Sequence, residues 1–224
     1  MEKRYLFIIL LTWFSIFSYG QKTEQVNNGY EKGLIADGYK KGIWEYYDNG
    51  VLKLKVDYTT GKLTFLASDT SKYAIKTKTG WELSQLDIYP HFLGSNDEII
   101  KILVSNIRYP EKAKNGSITG TVLIGFEINL QGHVDSVKIL KDIGEGCGEE
   151  VLRAFQLIPD YWLVAQKNGK QYTSRFILPV KFRIDSKDSG DNPQKEQEEL
   201  KRAKALYAPT NYFPELIIST VRIN

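Results

Sequence analysis

The chain is predicted to be an α+β protein: a helix, a β-hairpin, a second helix and an edge strand in its second half, preceded by a small antiparallel β region. Apolar residues alternate with other residues through positions 121–130, which is the period of a strand. Apolar residues recur with helical spacing through positions 99–107. Asp48-Asn49-Gly50 separates two runs rich in β-formers, which is typical of a tight hairpin.

The overall composition indicates a globular protein of one or two domains. Of the 224 residues, 42% are hydrophobic and 25% are charged. The net charge is only +3, and basic residues are interspersed with acidic ones rather than gathered into a stripe. The composition therefore gives no reason to expect nucleic acid as a partner.

Residues 1–20 have the layout of a signal peptide. Lys3 and Arg4 precede an apolar run, Tyr5–Tyr19, and Gly20 offers a small residue at a cleavage site. The run is shorter than the roughly 20 residues that a membrane-spanning helix needs. We therefore expect an exported, periplasmic protein, and an uncleaved inner-membrane anchor is the alternative.

Few residues are suited to catalysis or metal binding. Cys147 is the only cysteine, so no intramolecular disulfide can form, and we expect its thiol to be buried rather than reactive. His133 falls in a predicted turn and His91 in a predicted loop. No short catalytic motif is present. We therefore predict no enzyme activity, no catalytic residues, no metal site and no cofactor.

Residues 21–93 are predicted to form a β-rich N-terminal region with hairpin repeats. Gly42, Trp44, Tyr47 and Gly50 resemble the rhythm of short β-hairpin repeats in bacterial exported proteins. The aromatic residues are expected to pack a small sheet rather than to bind a ligand.

Residues 94–185 are predicted to form the α+β domain. Asn96 is the expected N-cap of a helix that ends before Pro110. The alternating run predicts a strand with one buried face, and Gln131-Gly132 turns the chain into a second strand, 134–140. A short helix over Glu149–Leu157 then precedes the last strand, Gln171–Ile184.

Pro179 lies within that last predicted strand. Proline has no N–H for a ladder hydrogen bond, so it is found at sheet edges or bulges. We therefore predict that Gln171–Ile184 is an edge strand. Residues 186–224 are predicted to hold a linker, a charged helix (Lys195–Leu206) and a terminal strand (Leu216–Ile223) of the kind that pairs with an open sheet edge.

An ordered set of motifs carries a family resemblance. The set comprises Tyr109-Pro110, Ala113, Gly116, Gly120-Thr121-Val122, Phe126-Glu127-Ile128, Gly132-His133-Val134, Val137, Ile139, the block 144–159, Asn168-Gly169-Lys170 and 177–182. Together these motifs, spread over Asn96–Ile184, resemble the C-terminal domain of the TonB energy-transducer family. The block 144–159 is similar to the subgroup common in Bacteroidota.

The resemblance implies a mode of binding. Family members hold a peptide of an outer-membrane transporter as a strand added to the sheet, at the last strand of the domain. The residues implied here are Thr173, Arg175, Ile177, Pro179, Lys181 and Arg183. The expected partner is an outer-membrane transporter or another envelope protein. The resemblance also allows a homodimer, and the terminal strand is a candidate internal plug for the edge.

Two functions follow from these expectations. One is a periplasmic TonB-like module that binds extended peptides or outer-membrane transport components. The other is a membrane-anchored energy transducer working with an inner-membrane proton-channel complex, which requires the N-terminal segment to be retained. Classical transducers also have a long Pro-rich span, whereas this chain has seven prolines and no run of them.

Overall fold

The computed structural model describes residues 22–185 and 193–221. The predicted signal peptide, residues 186–192 of the predicted linker and residues 222–224 lie outside this part. The described chain is a mixed α+β protein with four helices and mainly antiparallel strand pairs. In this part of the chain no helix is long and apolar enough to cross a membrane.

The N-terminal region is a five-stranded antiparallel meander. Its strands are β1 (Thr23–Asn27), β2 (Glu31–Ala36), β3 (Tyr39–Asp48), β4 (Val51–Asp57) and β5 (Lys62–Leu66). Asn49 and Gly50 both have positive φ, at 49° and 72°, which is the geometry of a tight primed turn. The predicted hairpin is therefore confirmed. Trp44, Tyr46 and Leu54 are fully buried on one face of this sheet.

A second hairpin and a helix follow. They are β6 (Tyr73–Thr77), β7 (Gly80–Ser84), the two-residue strand β8 (His91–Phe92) and α1 (Asn96–Asn106). The N-cap of α1 is Ser95, whose Oγ accepts a hydrogen bond from the backbone N–H of Asp97, so the prediction of Asn96 as N-cap is wrong by one residue. The side chain of Asn96 instead donates to Asp48 Oδ2 at 3.1 Å.

The predicted strand–turn–strand of the second half is confirmed, with small shifts in its bounds. The elements are α2 (Glu111–Asn115), β9 (Gly120–Ile128), β10 (Val134–Lys141) and α3 (Cys147–Phe155). α1 ends before Pro110 as predicted, and Pro110 then stands at the N-cap position of the short α2. α3 begins two residues earlier than predicted, because Gly146 adopts the left-handed conformation before it.

The end of the domain is more divided than predicted. The remaining elements are β11 (Trp162–Leu163), β12 (Ala165–Lys167), β13 (Lys170–Tyr172), β14 (Ser174–Asp185), α4 (Pro193–Leu206), β15 (Asn211–Tyr212) and β16 (Leu216–Val221). The single strand predicted over Gln171–Ile184 is two strands, since β13 pairs with β12 in a separate hairpin. Asn168 and Gly169 form its turn with φ of 52° and 72°.

The main sheet has the order β10-β9-β14-β6-β7, and β15 and β16 also pair with β14. β15 and β16 run parallel to β14, so β14, α4 and β16 form a crossover unit with a helix between two parallel strands. Buried residues of α1 and α3 pack on one face of this sheet. Residues of α4 and Tyr207 pack on the other face.

β9 shows the effect of this two-sided cover. Val122, Ile124 and Phe126 are buried on the first face, as the alternation predicts. Leu123 is also fully buried, against Ile177 and Tyr207 on the second face. The prediction of a half-buried strand is therefore wrong. The exposed side of α4 is charged. The alternation within β9 contains no information about α4, because this helix comes later in the chain and packs over the second face of β9.

Candidate functional site: the outer side of strand β14

β14 is not an edge strand in this structure, so that prediction is wrong. On one side it pairs antiparallel with β9 over nine registered positions, Ser174 to Phe182. On its other side it meets three segments in succession: β6 at Ser174, β15 at Phe176 and Ile177, and β16 from Val180 to Asp185. The residues predicted to bind a partner therefore lie along a side that the protein itself covers.

Backbone direction shows which residues of β14 face this outer side. The carbonyl of Ile177 accepts from the N–H of Phe213 at 2.9 Å, and the carbonyl of Thr173 accepts from the N–H of Lys76 at 2.9 Å. The carbonyl of Arg175 accepts from the side-chain amide of Asn211 at 2.9 Å. Backbone groups alternate in direction along a strand, so odd-numbered positions face outward. All six residues predicted from the resemblance are odd-numbered.

Pro179 marks a break in the outer pairing. It occupies an outward-facing position between the segments covered by β15 and β16, where it has no N–H to donate. Opposite the break, the three residues 213–215 span the two residues 178 and 179, so the register slips by one. Pro179 was expected on a free edge. In the structure it lies instead at an interruption of the ladder, where its missing N–H leaves no ladder hydrogen bond unmade.

Arg175 and Ile177 are buried rather than presented to solvent. The guanidinium of Arg175 lies over the rings of Trp81 and Tyr207, at 4.2 and 4.7 Å from their centroids, and its Nε donates to the carbonyl of Pro209 at 2.7 Å. Burial lowers the pKa of Arg175 from its ordinary value. Ile177 is fully buried with Tyr207. Through their contacts with Tyr207 and Pro209, Arg175 and Ile177 hold the segment after α4 against the sheet.

The last two predicted positions lie nearer the surface. Lys181 is registered with Ile217 of β16, and its Nζ lies 3.4 Å from Glu196 Oε2 of α4. Arg183 is exposed and is registered with Ser219. Together with the half-buried Thr173, which directly precedes β14, these residues lie along its outer side.

Residues from 207 to 218 complete the site, and sequence reasoning identified only part of them. Asn211 bridges two strands, because its amide donates to Arg175 and its Oδ1 accepts from the N–H of Ala74 at 3.0 Å. Phe213 lies 5.6 Å, centroid to centroid, from Phe176 in the main core. Leu216 and Ile218 are buried in the same core. The apolar run from Leu216 predicted a strand, but nothing local indicated where Asn211 or Phe213 would dock.

Cys147 and His133 agree with their predictions. Cys147 is fully buried, and burial, with smaller contributions from nearby acidic residues, raises the pKa of its thiol to about 12. The thiol is therefore protonated and unreactive at neutral pH. His133 is exposed beside Asp160, close to the turn at Gly132.

His91 differs from its prediction as a loop residue. It is buried in β8, with Nδ1 2.6 Å from the carbonyl of Phe92 and Nε2 3.3 Å from Asp48 Oδ2. Asp48 also accepts from Ser95 Oγ at 3.0 Å and from the backbone N–H of Asn96 at 2.7 Å. Burial alone would raise the pKa of Asp48, but these hydrogen bonds outweigh it and hold the pKa below its ordinary value.

This polar cluster joins the N-terminal meander to the start of α1. Asp48 ends β3, whereas His91, Ser95 and Asn96 belong to the segment leading into the α+β domain. The cluster has a structural explanation, since every polar contact just described satisfies a buried group. Among the described residues no group of three or more His, Cys, Asp or Glu side chains is arranged to hold a metal ion.

The fold and the site define a class of protein: an α+β domain in which β14 pairs with β9 on one side and with extended segments of the same chain on the other. Residues 105–184 match the family model for the Gram-negative bacterial TonB protein C-terminal, so this segment is a TonB C-terminal domain. The match spans a little over a third of the chain. No curated protein and no solved structure matches the chain. Domains of this family in general contact outer-membrane transporters.

Proposed function

We propose that this protein is an exported, TonB-like binding module of the cell envelope. In this proposal its α+β domain takes up an extended segment of an outer-membrane transporter, or of another envelope protein, as a strand added along the outer side of β14. The protein acts through this contact and catalyses no reaction. The family match over residues 105–184 supports the class of partner.

One observation carries the mode of binding. The outward carbonyls of Thr173, Arg175 and Ile177 accept hydrogen bonds from two segments. One is β6, and the other is the stretch 211–213, which donates through the side chain of Asn211 and the backbone N–H of Phe213. The outer side of β14 therefore accepts both antiparallel and parallel neighbours in short stretches. Strand addition uses these same main-chain groups for affinity, while pockets for alternate side chains provide selectivity.

The test uses the full exported chain and synthetic peptides from the periplasm-facing N-terminal segments of outer-membrane transporters of the same organism. Binding is followed by the amide NMR signals of β14. Each binding peptide is made in two N-methylated versions. One version is methylated at its odd-numbered residues and the other at its even-numbered residues. An added strand directs only one parity toward β14, so one version should lose at least tenfold in affinity and the other less than threefold.

Equal affinity of the two N-methylated versions would rule out strand addition. Peptides of scrambled sequence are the control for nonspecific adhesion. Because the proposal also allows a homodimer, sedimentation of the free chain across a range of concentrations would establish whether two copies associate before any peptide is added.

A membrane-anchored transducer is the second candidate, and the apolar run Tyr5–Tyr19 after Lys3 and Arg4 is the observation that favours it. Cell fractionation and the intact mass of the protein distinguish the two candidates. A soluble periplasmic species that begins at Gln21 would support the binding module. A membrane-retained species that begins near Met1 would support the transducer, with an inner-membrane proton channel as its next partner.

A further inference from the structure

The segment 211–221 already occupies the outer side of β14 as an extended strand would. Asn211 and Tyr212 are registered with Phe176 and Ile177, and Leu216 to Val221 are registered with Val180 to Asp185, all in parallel orientation. The N–H of Phe213 makes one of the outward hydrogen bonds. This segment is called the internal strand below.

Side chains of the internal strand alternate between the core and solvent. Leu216 and Ile218 are 4% and 7% exposed and pack in the main core, whereas Ile217 between them is 55% exposed. Phe213 lies 5.8 Å from Phe126 and 6.0 Å from Trp162, centroid to centroid. The sheet therefore has an aromatic pocket and two aliphatic pockets at defined positions along β14.

The internal strand is attached less continuously than the other neighbour of β14. Its pairing comprises a two-residue stretch and a six-residue stretch, broken where Pro179 lacks an N–H and the register slips. Pro214 lies within the break and also lacks an N–H. On the opposite side, β9 keeps one register over nine positions. The interrupted side is where exchange of one strand for another costs the fewest ladder hydrogen bonds.

We propose that the internal strand is a built-in ligand that closes the binding side of β14 until a partner strand displaces it. This proposal rests on the proposed function and adds its regulation and its sequence preference. The partner strand runs parallel to β14 and carries an aromatic residue followed three and five positions later by aliphatic residues, in the places of Phe213, Leu216 and Ile218. The residue between the two aliphatic ones is free to be polar.

A disulfide lock tests the closure. Lys181 and Ile217 are directly opposite in register on adjacent strands, about 5 Å apart at Cα, which suits a disulfide. The double variant Lys181→Cys with Ile217→Cys is compared when oxidised and when reduced, and Lys181→Cys alone is the control. Cys147 is fully buried and stays out of the reaction.

The probe is a labelled synthetic peptide of residues 211–221, NYFPELIISTV, added to the full chain and followed by fluorescence anisotropy. We expect the reduced double variant to bind it at least tenfold more tightly than the oxidised form. A peptide with Asn in place of its Phe, Leu and second Ile should not bind. Equal binding by the oxidised and reduced forms would overturn the proposal.

A second pair of variants keeps the proposal testable without the disulfide. Leu216→Asn weakens the docking of the internal strand and should raise affinity for the peptide at least tenfold over the unmodified chain. Ile217→Asn, on the solvent side of the same strand, should change it less than twofold. Circular dichroism confirms that both variants fold. An unchanged affinity in folded Leu216→Asn would again overturn the proposal.

Transporter peptides separate this proposal from the proposed function. If they bind equally to the oxidised and reduced double variant while the 211–221 peptide distinguishes the two forms, the built-in ligand stands and transporter binding at β14 does not. If the 211–221 peptide fails to distinguish the two forms while N-methyl parity still governs transporter peptides, the proposed function stands and the built-in ligand does not.

Discussion

The two sheets of this protein are constructed in opposite ways. In the N-terminal meander every strand pairs with its neighbour in the chain, and one face is packed around Trp44 and Tyr46. In the main sheet β14 pairs with β9, β6 and β16, which come from distant parts of the chain, and both of its faces are covered. Local turns build the first sheet, whereas the second depends on segments that lie well before and well after β14 in the chain.

The largest expected effect on stability comes from variants that test whether the two cores unfold independently. Phe126→Ala and Trp44→Ala each remove a fully buried aromatic side chain and should each lower the free energy of unfolding by about 3–5 kcal/mol. Hydrogen exchange should show faster exchange throughout β9, β14 and β16 in Phe126→Ala, but only in β1–β5 in Trp44→Ala. A uniform loss of protection in both variants would mean that the two sheets unfold as one unit.

The next effect concerns the link between the sheets. Asp48→Asn removes the charge that accepts from Ser95 and Asn96 and lies 3.3 Å from His91 Nε2, and should cost about 2–3 kcal/mol of stability. The folded-state pKa of Asp48 is lowered, so its contribution is fully present above about pH 4, its unfolded pKa, and is lost as the pH falls through the folded value. The midpoint temperature of thermal unfolding, measured from pH 7 to pH 2.5, should therefore fall less steeply in Asp48→Asn than in the unmodified protein.

A smaller effect tests the cover on the second face. The hydroxyl of Tyr207 is buried and has no hydrogen-bond partner among the described residues, while its ring packs on Leu123 and Ile177. Tyr207→Phe removes only the unsatisfied hydroxyl and should be neutral or stabilise by up to about 1 kcal/mol. Tyr207→Ala, the matched variant, should cost about 3 kcal/mol in urea unfolding because the ring is lost. A clear loss of stability in Tyr207→Phe would indicate a buried water at the hydroxyl.

The smallest effect lies on the outside of α4. Glu198 and Arg202, four residues apart on α4, form an ion pair at 3.6 Å, and both side chains are largely exposed. Glu198→Gln should change stability by only about 0.3 kcal/mol, and less at high salt. Urea unfolding at low and high salt measures this difference. A loss above 1 kcal/mol would show that α4 is held by its charges rather than by Tyr207 and Leu200.

Much of the secondary structure could be predicted from the sequence because its causes are local. Asn49-Gly50 and Asn168-Gly169 supply the positive φ values that their turns require, and the alternation over β9 correctly identified a strand. The helical spacing before Pro110 likewise located α1. These features depend on residues within a few positions of one another.

The pairing of β15 and β16 with the outer side of β14 was harder to predict from the sequence, because it depends on residues that are distant in the chain. Pro179 indicated an edge, since it cannot complete a ladder, but it does not reveal that two separate stretches dock on either side of it. The second buried face of β9 depends on Tyr207, which no periodicity relates to Leu123. His91 was expected in a loop because its partner Asp48 lies in another sheet.

The parallel strand β16 also has a consequence for the time course of folding. A chain that emerges from a ribosome or a translocon presents β9 and β14 before α4, and β16 emerges only after both. Until then Phe126 and Phe176 lack the aromatic and aliphatic side chains that β16 and the preceding loop bring to them. The domain therefore passes through a stage with an open apolar flank, at which chaperones and proteases of the compartment compete with its own completion.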